Sequence, residues 1–248
     1  MADSGRRVAL IADAGFYVGP ALARLLAARD HDLVLGDPKP DLVAELEAGG
    51  TAVEVVTGVR DLSRPESAPA LIAAARARFG RLDAAVAFSG SIVTGRFVNS
   101  TLDDLRSVIS GCVEGPYHFL KAAVEPMIEQ GDGQILLITS ASAARPTPGA
   151  PLYSAARAGG TMLARNVATE VARHGVQVNA VGTNFMDFPE FLRASGASDP
   201  AVRAKLESQV PLGRLGTMEE FASFCGPFID GSSRFTTGQF VAYAGGWA

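Results

Sequence analysis

The chain has few cysteines, a single tryptophan, no excess of positive charge and no long apolar run. Its 248 residues include 2 cysteines, and its formal net charge is −4. Two cysteines are too few for a disulfide framework and lack the spacing of metal ligands. A weakly acidic chain offers no electrostatic case for binding nucleic acid or an anionic membrane. No apolar run approaches the roughly 20 residues of a membrane span, and we expect no signal peptide. These absences predict a reduced, cytoplasmic protein without a bound metal ion.

What the chain does contain is a regular alternation of short apolar runs and longer segments of helical period. Hydrophobic residues make up 48% of it and charged residues 19%, a balance typical of folded domains. Strands are predicted at residues 8–12, 32–36, 52–57, 82–88, 134–139, 176–181 and 239–243. Helices are predicted at residues 18–29, 40–48, 65–79, 102–129, 151–174 and 218–228. Apolar strands between helices indicate a parallel sheet covered on both faces. We therefore predict one Rossmann-like, doubly wound α/β domain of seven strands over residues 1–248.

The ligand site of such a sheet can be located before any motif is considered. Ligands bind beyond the carboxyl ends of the parallel strands, at the point where the strand order reverses. The segments that arrive at this edge are residues 12–19, 88–91, 139–142 and 181–186. The irregular stretch at residues 182–199 is long for a loop in a compact domain, which is typical of a lid or a binding loop.

Two motifs at this edge carry residues suited to acid–base chemistry. Tyr153 and Arg157 are four residues apart in YSAAR and so share one helix face, where the guanidinium cation can stabilise a phenolate. Ser140 follows the fifth strand, and its hydroxyl can donate a second hydrogen bond to a substrate oxygen. An isolated tyrosine and arginine at this spacing often only stack on a helix surface. Their position at the ligand edge favours a functional role.

Over nearly its whole length the chain resembles the short-chain dehydrogenase/reductase family. The resemblance rests on the first βα turn at residues 12–19, on Asp37 and Asp61 after the second and third strands, and on Ser140 with Tyr153. The usual activity of that family is hydride transfer with a nicotinamide cofactor. The resemblance therefore implies such a cofactor, unless the positions that serve it are altered.

Several of those positions are altered in this chain. The turn keeps only the last of the three glycines in the family pattern T-G-x-x-x-G-x-G, of which the first two serve the tight turn and the backbone approach to pyrophosphate. Tyr17 places a ring there, and Asp13 places a carboxylate that would repel a dianion. Cys112 stands for the family's asparagine and Arg157 for its catalytic lysine. A tolerant turn that still binds a cofactor around Gly15 is the alternative.

This combination is similar to the halohydrin dehalogenases, a cofactor-free branch of the same superfamily. Their signatures are S-x12-Y-x3-R and T-x4-[F/Y]-x-G. Ser140, Tyr153 and Arg157 match the first signature, whereas the second has its aromatic residue at Tyr17 but alanine at its threonine position. The resemblance implies a function without a cofactor.

The implied reaction converts vicinal halo-alcohols to epoxides with release of halide, and small anions would open epoxides in reverse. Tyr153 would act as general base, Ser140 would orient the substrate oxygen and Arg157 would stabilise the phenolate. The halide or other small anion would lie against Phe16, Tyr17, Thr183, Asn184, Phe185 and Met186. Because such families commonly assemble as homotetramers, a homotetramer is expected.

Two other functions remain open. The chain could be an NAD(P)-dependent short-chain oxidoreductase with an unusual cofactor turn, in which Arg157 takes the place of lysine. It could also be a non-catalytic paralogue that serves as an interaction partner. Binding of a nicotinamide nucleotide would separate the first alternative from a dehalogenase. The presence of both Ser140 and Tyr153 argues against the second.

Overall fold

The fold is built on one parallel sheet. The computed structural model describes residues 5–88, 90 and 92–248. The strands are β1 (Arg7–Ile11), β2 (His31–Gly36), β3 (Val53–Val56), β4 (Ala84–Phe88), β5 (Gly133–Ser140), β6 (Val176–Thr183) and β7 (Phe240–Tyr243). They lie in the order β3-β2-β1-β4-β5-β6-β7, and every neighbouring pair is parallel. This confirms the predicted seven-stranded, doubly wound α/β fold.

Nine α-helices connect the strands within the described ranges. They are α1 (Gly19–Ala27), α2 (Pro40–Ala48), α3 (Ser67–Phe79), α4 (Leu102–Ile109), α5 (Gly115–Gln130), α6 (Pro151–Val171), α7 (Pro189–Ser195), α8 (Pro200–Glu207) and α9 (Met218–Cys225). None of these helices combines the length and the apolar character that crossing a membrane requires.

Both faces of the sheet are covered because alternate side chains of a strand point in opposite directions. In β1, Leu10 packs on the side of α3, α5 and α6, where Phe119 is fully buried. Its neighbour Ile11 packs on the side of α1, α2 and α9, beside the fully buried Phe221. Burying a large apolar side chain stabilises a fold by about 1.5–3 kcal/mol. The two layers explain why the strands are apolar throughout.

The strand order reverses at β1, which pairs with β2 on one side and with β4 on the other. Ala9 of β1 is the partner of Leu33 in β2 and of Ala84 in β4. The connections that leave β1 and β4 turn to opposite faces, so a crevice opens between them at the carboxyl edge. The fold therefore places a ligand site where the sequence predicted one.

Two predicted elements differ from the structure. The single helix predicted at residues 102–129 is α4 and α5, joined by a π-helical turn at Ser110–Glu114. A π-turn keeps a helix-like pattern along the sequence, which explains the prediction, and such turns are frequent at functional sites. The stretch at residues 182–199 contains α7, which Pro189 opens at a position that suits proline. Ser89 and Ser91, in the predicted edge segment, lie outside the described residues.

The β1–α1 turn lies so close to the sheet that two neighbouring positions require glycine. A Cβ atom added to Gly19 would lie 2.2 Å from the Asp13 carbonyl oxygen, and one added to Gly36 would lie 2.0 Å from the Ala12 carbonyl oxygen. Real Cβ atoms do not approach backbone so closely. A side chain at Gly19 would therefore displace α1 from the turn, and one at Gly36 would push the turn away from β2.

We expect Gly19→Ala to lower the free energy of unfolding by about 1–3 kcal/mol, as overpacking does. Gly159→Ala is the matched control, because its added Cβ would meet only the Val113 Cγ2 atom at 3.6 Å. That change should be neutral or raise stability by up to about 1 kcal/mol, since alanine favours helix. Urea denaturation measures both; equal stability of the two variants would contradict this account of the turn.

Candidate active site

A cavity of about 610 Å³ opens at the carboxyl edge of β1, β4, β5 and β6. Its volume lies in the range of small-molecule sites. All nine site residues named from the sequence line it: Phe16, Tyr17, Ser140, Tyr153, Arg157, Thr183, Asn184, Phe185 and Met186. The structure thus brings them together, while their chemical roles stay predictions.

Ser140 ends β5, and a second serine holds its hydroxyl in place. The Ser140 Oγ accepts hydrogen bonds from the Ser142 backbone N–H at 3.2 Å and from the Ser142 hydroxyl at 2.9 Å. The Ser140 hydroxyl itself donates a long hydrogen bond of 3.5 Å to the Thr183 carbonyl oxygen. A substrate oxygen at closer range can replace that weak acceptor. Ser142 lines the cavity and was not predicted. Its place two residues beyond Ser140, in ITSAS, was the available signal.

Tyr153 and Arg157 meet on α6, but differently from the expectation. The guanidinium carbon of Arg157 lies 5.0 Å from the centroid of the Tyr153 ring, so the cation covers the ring face. In the described part of the chain, no hydrogen bond joins this guanidinium to the Tyr153 hydroxyl. Long side chains of a helix lean back over the preceding turn, which lays the arginine along the ring. The Arg157 cation therefore interacts with the π-face of the Tyr153 ring and not with its hydroxyl oxygen.

Arg157 is a buried cation without a counter-charge among the described residues. Arg157 is only 8% exposed, and its Nε atom has no hydrogen-bond partner. Besides Tyr153, the buried Cys112 is a titratable neighbour, and burial raises the pKa of that thiol despite the opposing effect of the Arg157 cation. The thiol is therefore neutral near pH 7. A buried, unpaired cation is costly, so the site favours negative charge on an oxygen placed beside it.

The segment after β6 presents a second unpaired donor. The Asn184 Nδ2 atom is buried without a hydrogen-bond partner, and Asn184 lines the cavity. Phe185, next in the chain, has a φ of 47°, a backbone conformation that bulky residues rarely adopt. Met186 forms a β-bridge with Gly216, which fixes the far end of the segment. Backbone strain at Phe185 and the bridge at Met186 together fix the segment that carries Asn184.

Tyr17 spans the crevice between the first and the sixth strand. Its φ is 53°, and its hydroxyl forms a hydrogen bond of 2.7 Å with the Thr183 Oγ1 atom. Its ring lies against Phe88 and Phe188, with centroid distances of 5.8 and 4.8 Å. Burial raises the pKa of Tyr17, so this phenol stays protonated and forms part of the wall, not a base.

At the opposite end of the cavity, the carboxylates of three aspartates form ion pairs or hydrogen bonds with other groups of the protein. The Asp13 carboxylate forms an ion pair of 2.9 Å with the Arg60 Nε atom, and burial raises the pKa of Asp13 despite that pair. The Asp37 carboxylate accepts backbone N–H bonds at 2.7–2.9 Å from residues 58–60. Asp61 accepts both the N–H and the hydroxyl of Ser63. These groups stabilise loops around the cavity.

The outer wall of the cavity is aromatic, and the sequence did not reveal it. Phe188, Phe191 and Trp247 line it, and Phe188 stacks on Phe191 with a centroid distance of 6.1 Å. The phenylalanines lie in the stretch predicted as a binding loop, which was a partial signal. Trp247 lies far along the chain from the motifs of the ligand edge, and no signal in the sequence pointed to the cavity.

The comparisons with known proteins identify the family. Residues 17–248 match the family described as "Enoyl-(Acyl carrier protein) reductase". The cis-4-hydroxycyclohexanecarboxylate dehydrogenase of Sinomonas cyclohexanicum is 35% identical over 247 residues, which cover 97% of this chain and 96% of the relative. The chain belongs to this reductase family of the short-chain dehydrogenase/reductase superfamily.

Solved structures agree with this assignment. Acetoin dehydrogenase from Enterobacter cloacae has a TM-score of 0.84 at 30% identity and covers 98% of this chain, with 96% of its own length matched. A structure described as "Dehalogenation enzyme" has a TM-score of 0.85 at 25% identity, with 98% of each chain covered.

The matched family, the curated relative and the acetoin dehydrogenase overturn the expectation of a cofactor-independent halohydrin dehalogenase, a lyase that forms epoxides. The matched family and the more similar relatives are reductases and dehydrogenases. The expectation was wrong because three positions, Ser140, Tyr153 and Arg157, carried most of it. A serine, a tyrosine and a cation also suit proton transfer to a carbonyl oxygen. The oxidoreductase alternative agrees better with the comparisons.

The family implies a nicotinamide cofactor, and the residues present suit its two halves differently. Arg157 and Asn184 offer unpaired, buried donors that fit the hydroxyl and carbonyl oxygens of a nicotinamide riboside. The β1–α1 turn suits the pyrophosphate less well, because Asp13 adds a carboxylate there, although Arg60 pairs with it, and Tyr17 stands where the family has a glycine. The residues present therefore suit the nicotinamide half better than the pyrophosphate half.

If Tyr17 limits access to the turn, Tyr17→Gly should tighten the binding of reduced nicotinamide nucleotides by about tenfold or more in Kd, equivalent to about 1.4 kcal/mol. Tyr17→Phe is the control, because it loses the hydrogen bond to Thr183 but keeps the ring, and it should bind like the wild type. Calorimetric titration of the three proteins gives the comparison. Equal affinity of Tyr17→Gly and wild type would show that the ring does not limit binding.

Proposed function

We propose that the protein is an oxidoreductase of the short-chain dehydrogenase/reductase superfamily that interconverts a neutral secondary alcohol and its ketone. The observation that carries this proposal is the placement of Tyr153 and Ser140 in one cavity beside the buried, unpaired Arg157. This set offers a proton donor, a hydrogen-bond donor and a positive charge to one oxygen atom. The family and the named dehydrogenases support the proposal.

In the reducing direction, Tyr153 donates its hydroxyl proton to the carbonyl oxygen as negative charge develops there. Ser140, whose oxygen is held by Ser142, donates a hydrogen bond to the same oxygen. Arg157 lies over the Tyr153 ring and stabilises the phenolate that remains. A nicotinamide nucleotide, when bound, supplies or accepts the hydride. In the oxidising direction the phenolate takes the proton of the alcohol.

The substrate class follows from the lining of the cavity. Aromatic rings from Phe185, Phe188, Phe191 and Trp247 form its outer part. Asp13 and Arg60, which also line it, form an ion pair with each other at its far end. A neutral, apolar substrate suits such walls. The named cis-4-hydroxycyclohexanecarboxylate dehydrogenase supports an alicyclic ring as the apolar part, although the substrate in its name also carries a carboxylate.

Tyr153→Phe should lower the rate of ketone reduction by a factor on the order of 10²–10⁴, because the proton donor is lost while the ring stays in place. The assay follows the oxidation of NADH and NADPH with cyclohexanone and related ring ketones. Tyr117→Phe is the matched control, because Tyr117 is an exposed residue of α5, and it should keep the wild-type rate. Full activity of Tyr153→Phe, or no nucleotide-dependent turnover by the wild type, would refute the proposed function.

Arg157→Lys should keep part of the activity, because a cation remains near Tyr153, whereas Arg157→Met should lose most of it. Steady-state kinetics separate charge from packing. Without the cation, the negative charge that develops on the Tyr153 oxygen is less stabilised, so Arg157→Met should lower kcat more than it raises KM. Equal kcat of wild type and Arg157→Met would exclude electrostatic support by Arg157.

We also propose that copies associate through α5 and α6, as expected for a homotetramer. Tyr117 on α5 and Met162 on α6 are each 49% exposed, and these helices pack side by side. Exposed apolar side chains on adjacent helices are typical of a contact surface. Light scattering at micromolar concentration tests the assembly.

A further inference from the structure

The segment that follows β7 turns back sharply over the cavity. Gly245 and Gly246 have φ angles of 59° and 87°, which glycine adopts without strain, and the Trp247 N–H donates to the Ala244 carbonyl at 3.0 Å. The Leu212 N–H donates to the Gly245 carbonyl at 3.1 Å, which ties the turn to the loop before α9. The turn therefore has a defined shape, and it directs the indole of Trp247 to the cavity.

Arg145, from the loop between β5 and α6, holds Trp247 from the other side. Its guanidinium carbon lies 4.4 Å from the indole centroid, and its Nη1 donates to the Trp247 carbonyl oxygen. Phe185 meets the indole edge-on at a centroid distance of 6.0 Å. A cation over the indole and a hydrogen bond to the same residue fix both its ring and its backbone.

We infer that Trp247, clamped by Arg145, is the residue that selects ring-shaped substrates over acyclic ones. The inference rests on the proposed function, which it deepens by assigning the substrate-facing wall. An alicyclic ring can pack flat on a fixed indole, whereas a short acyclic ketone gains little from it. Arg145 acts only through Trp247, so it is a positioning residue.

Trp247 is the single tryptophan of the chain, so its fluorescence reports on this wall directly. Cyclohexanone and 1-tetralone should change its emission in a saturable way, and acetone should not. Arg145→Ala should weaken the binding of both ring ketones by about tenfold and make Trp247 more accessible to acrylamide. Arg64→Ala is the control, because Arg64 is an exposed residue away from the cavity lining, and it should behave like the wild type.

Kinetics complete the test. Trp247→Ala should raise KM for ring ketones by about tenfold with little change in kcat, and should leave both constants for acetone unchanged, whereas Trp247→Phe should recover most of the affinity. Saturable ring binding without any turnover would support the clamp while refuting the proposed oxidoreductase. Turnover in which Trp247→Ala affects ring and acyclic ketones equally would overturn the clamp alone. Wild-type emission that no ring ketone changes would overturn it as well.

Discussion

The common direction of all seven strands is the constraint on which the rest of the molecule depends. Because every strand pair is parallel, every carboxyl end reaches the same edge of the sheet, and every connection must return across a face. Residues as distant in sequence as Tyr17 and Thr183 therefore meet in one hydrogen bond. The strand-order reversal at β1 then opens space between them. The topology of the sheet determines where the site lies, and the motifs determine which side chains stand there.

Charge divides the cavity into two unlike ends. At one end Asp13 and Arg60 neutralise each other, and the Asp37 oxygens bind backbone N–H groups. At the other end Arg157 is buried with no anion beside it in the part of the chain that the structure describes. A buried charge of this kind gains most from the ligand or intermediate that supplies the missing negative charge. The chemistry is therefore concentrated at the Tyr153 end.

Much of the fold could be predicted from the sequence, because continuous apolar runs separate clearly from helical periods. Each predicted strand ends within two residues of the observed one. The π-turn that separates α4 from α5 could not be predicted, since it preserves a helical pattern locally. The nine residues predicted for the site line one cavity, because strand ends and short motifs mark them in the sequence.

The remaining features depend on contacts that are distant along the chain. The position of Trp247 depends on Arg145, about a hundred residues earlier, and no local pattern records that contact. The orientation of Arg157 over the ring of Tyr153 depends on packing around Cys112 and Gly90. The reaction itself was predicted wrongly, because a serine, a tyrosine and an arginine at fixed spacing are compatible with more than one chemistry at oxygen.

The backbone conformation of the cavity rim has a consequence for how the molecule comes apart. Tyr17, Asp37 and Phe185 hold positive φ angles without being glycine, at a cost of about 1–3 kcal/mol each, and Asp30 does so at the opposite edge of the sheet. That opposite edge also has the fully buried Asp83, whose carboxylate accepts hydrogen bonds from the Val8 N–H and from Nε and Nη2 of Arg81. The cavity end of the sheet is thus the more strained one, and the other end is tightly bonded. We expect local opening to start at the strained end, so that the protein loses its cavity before it loses its sheet.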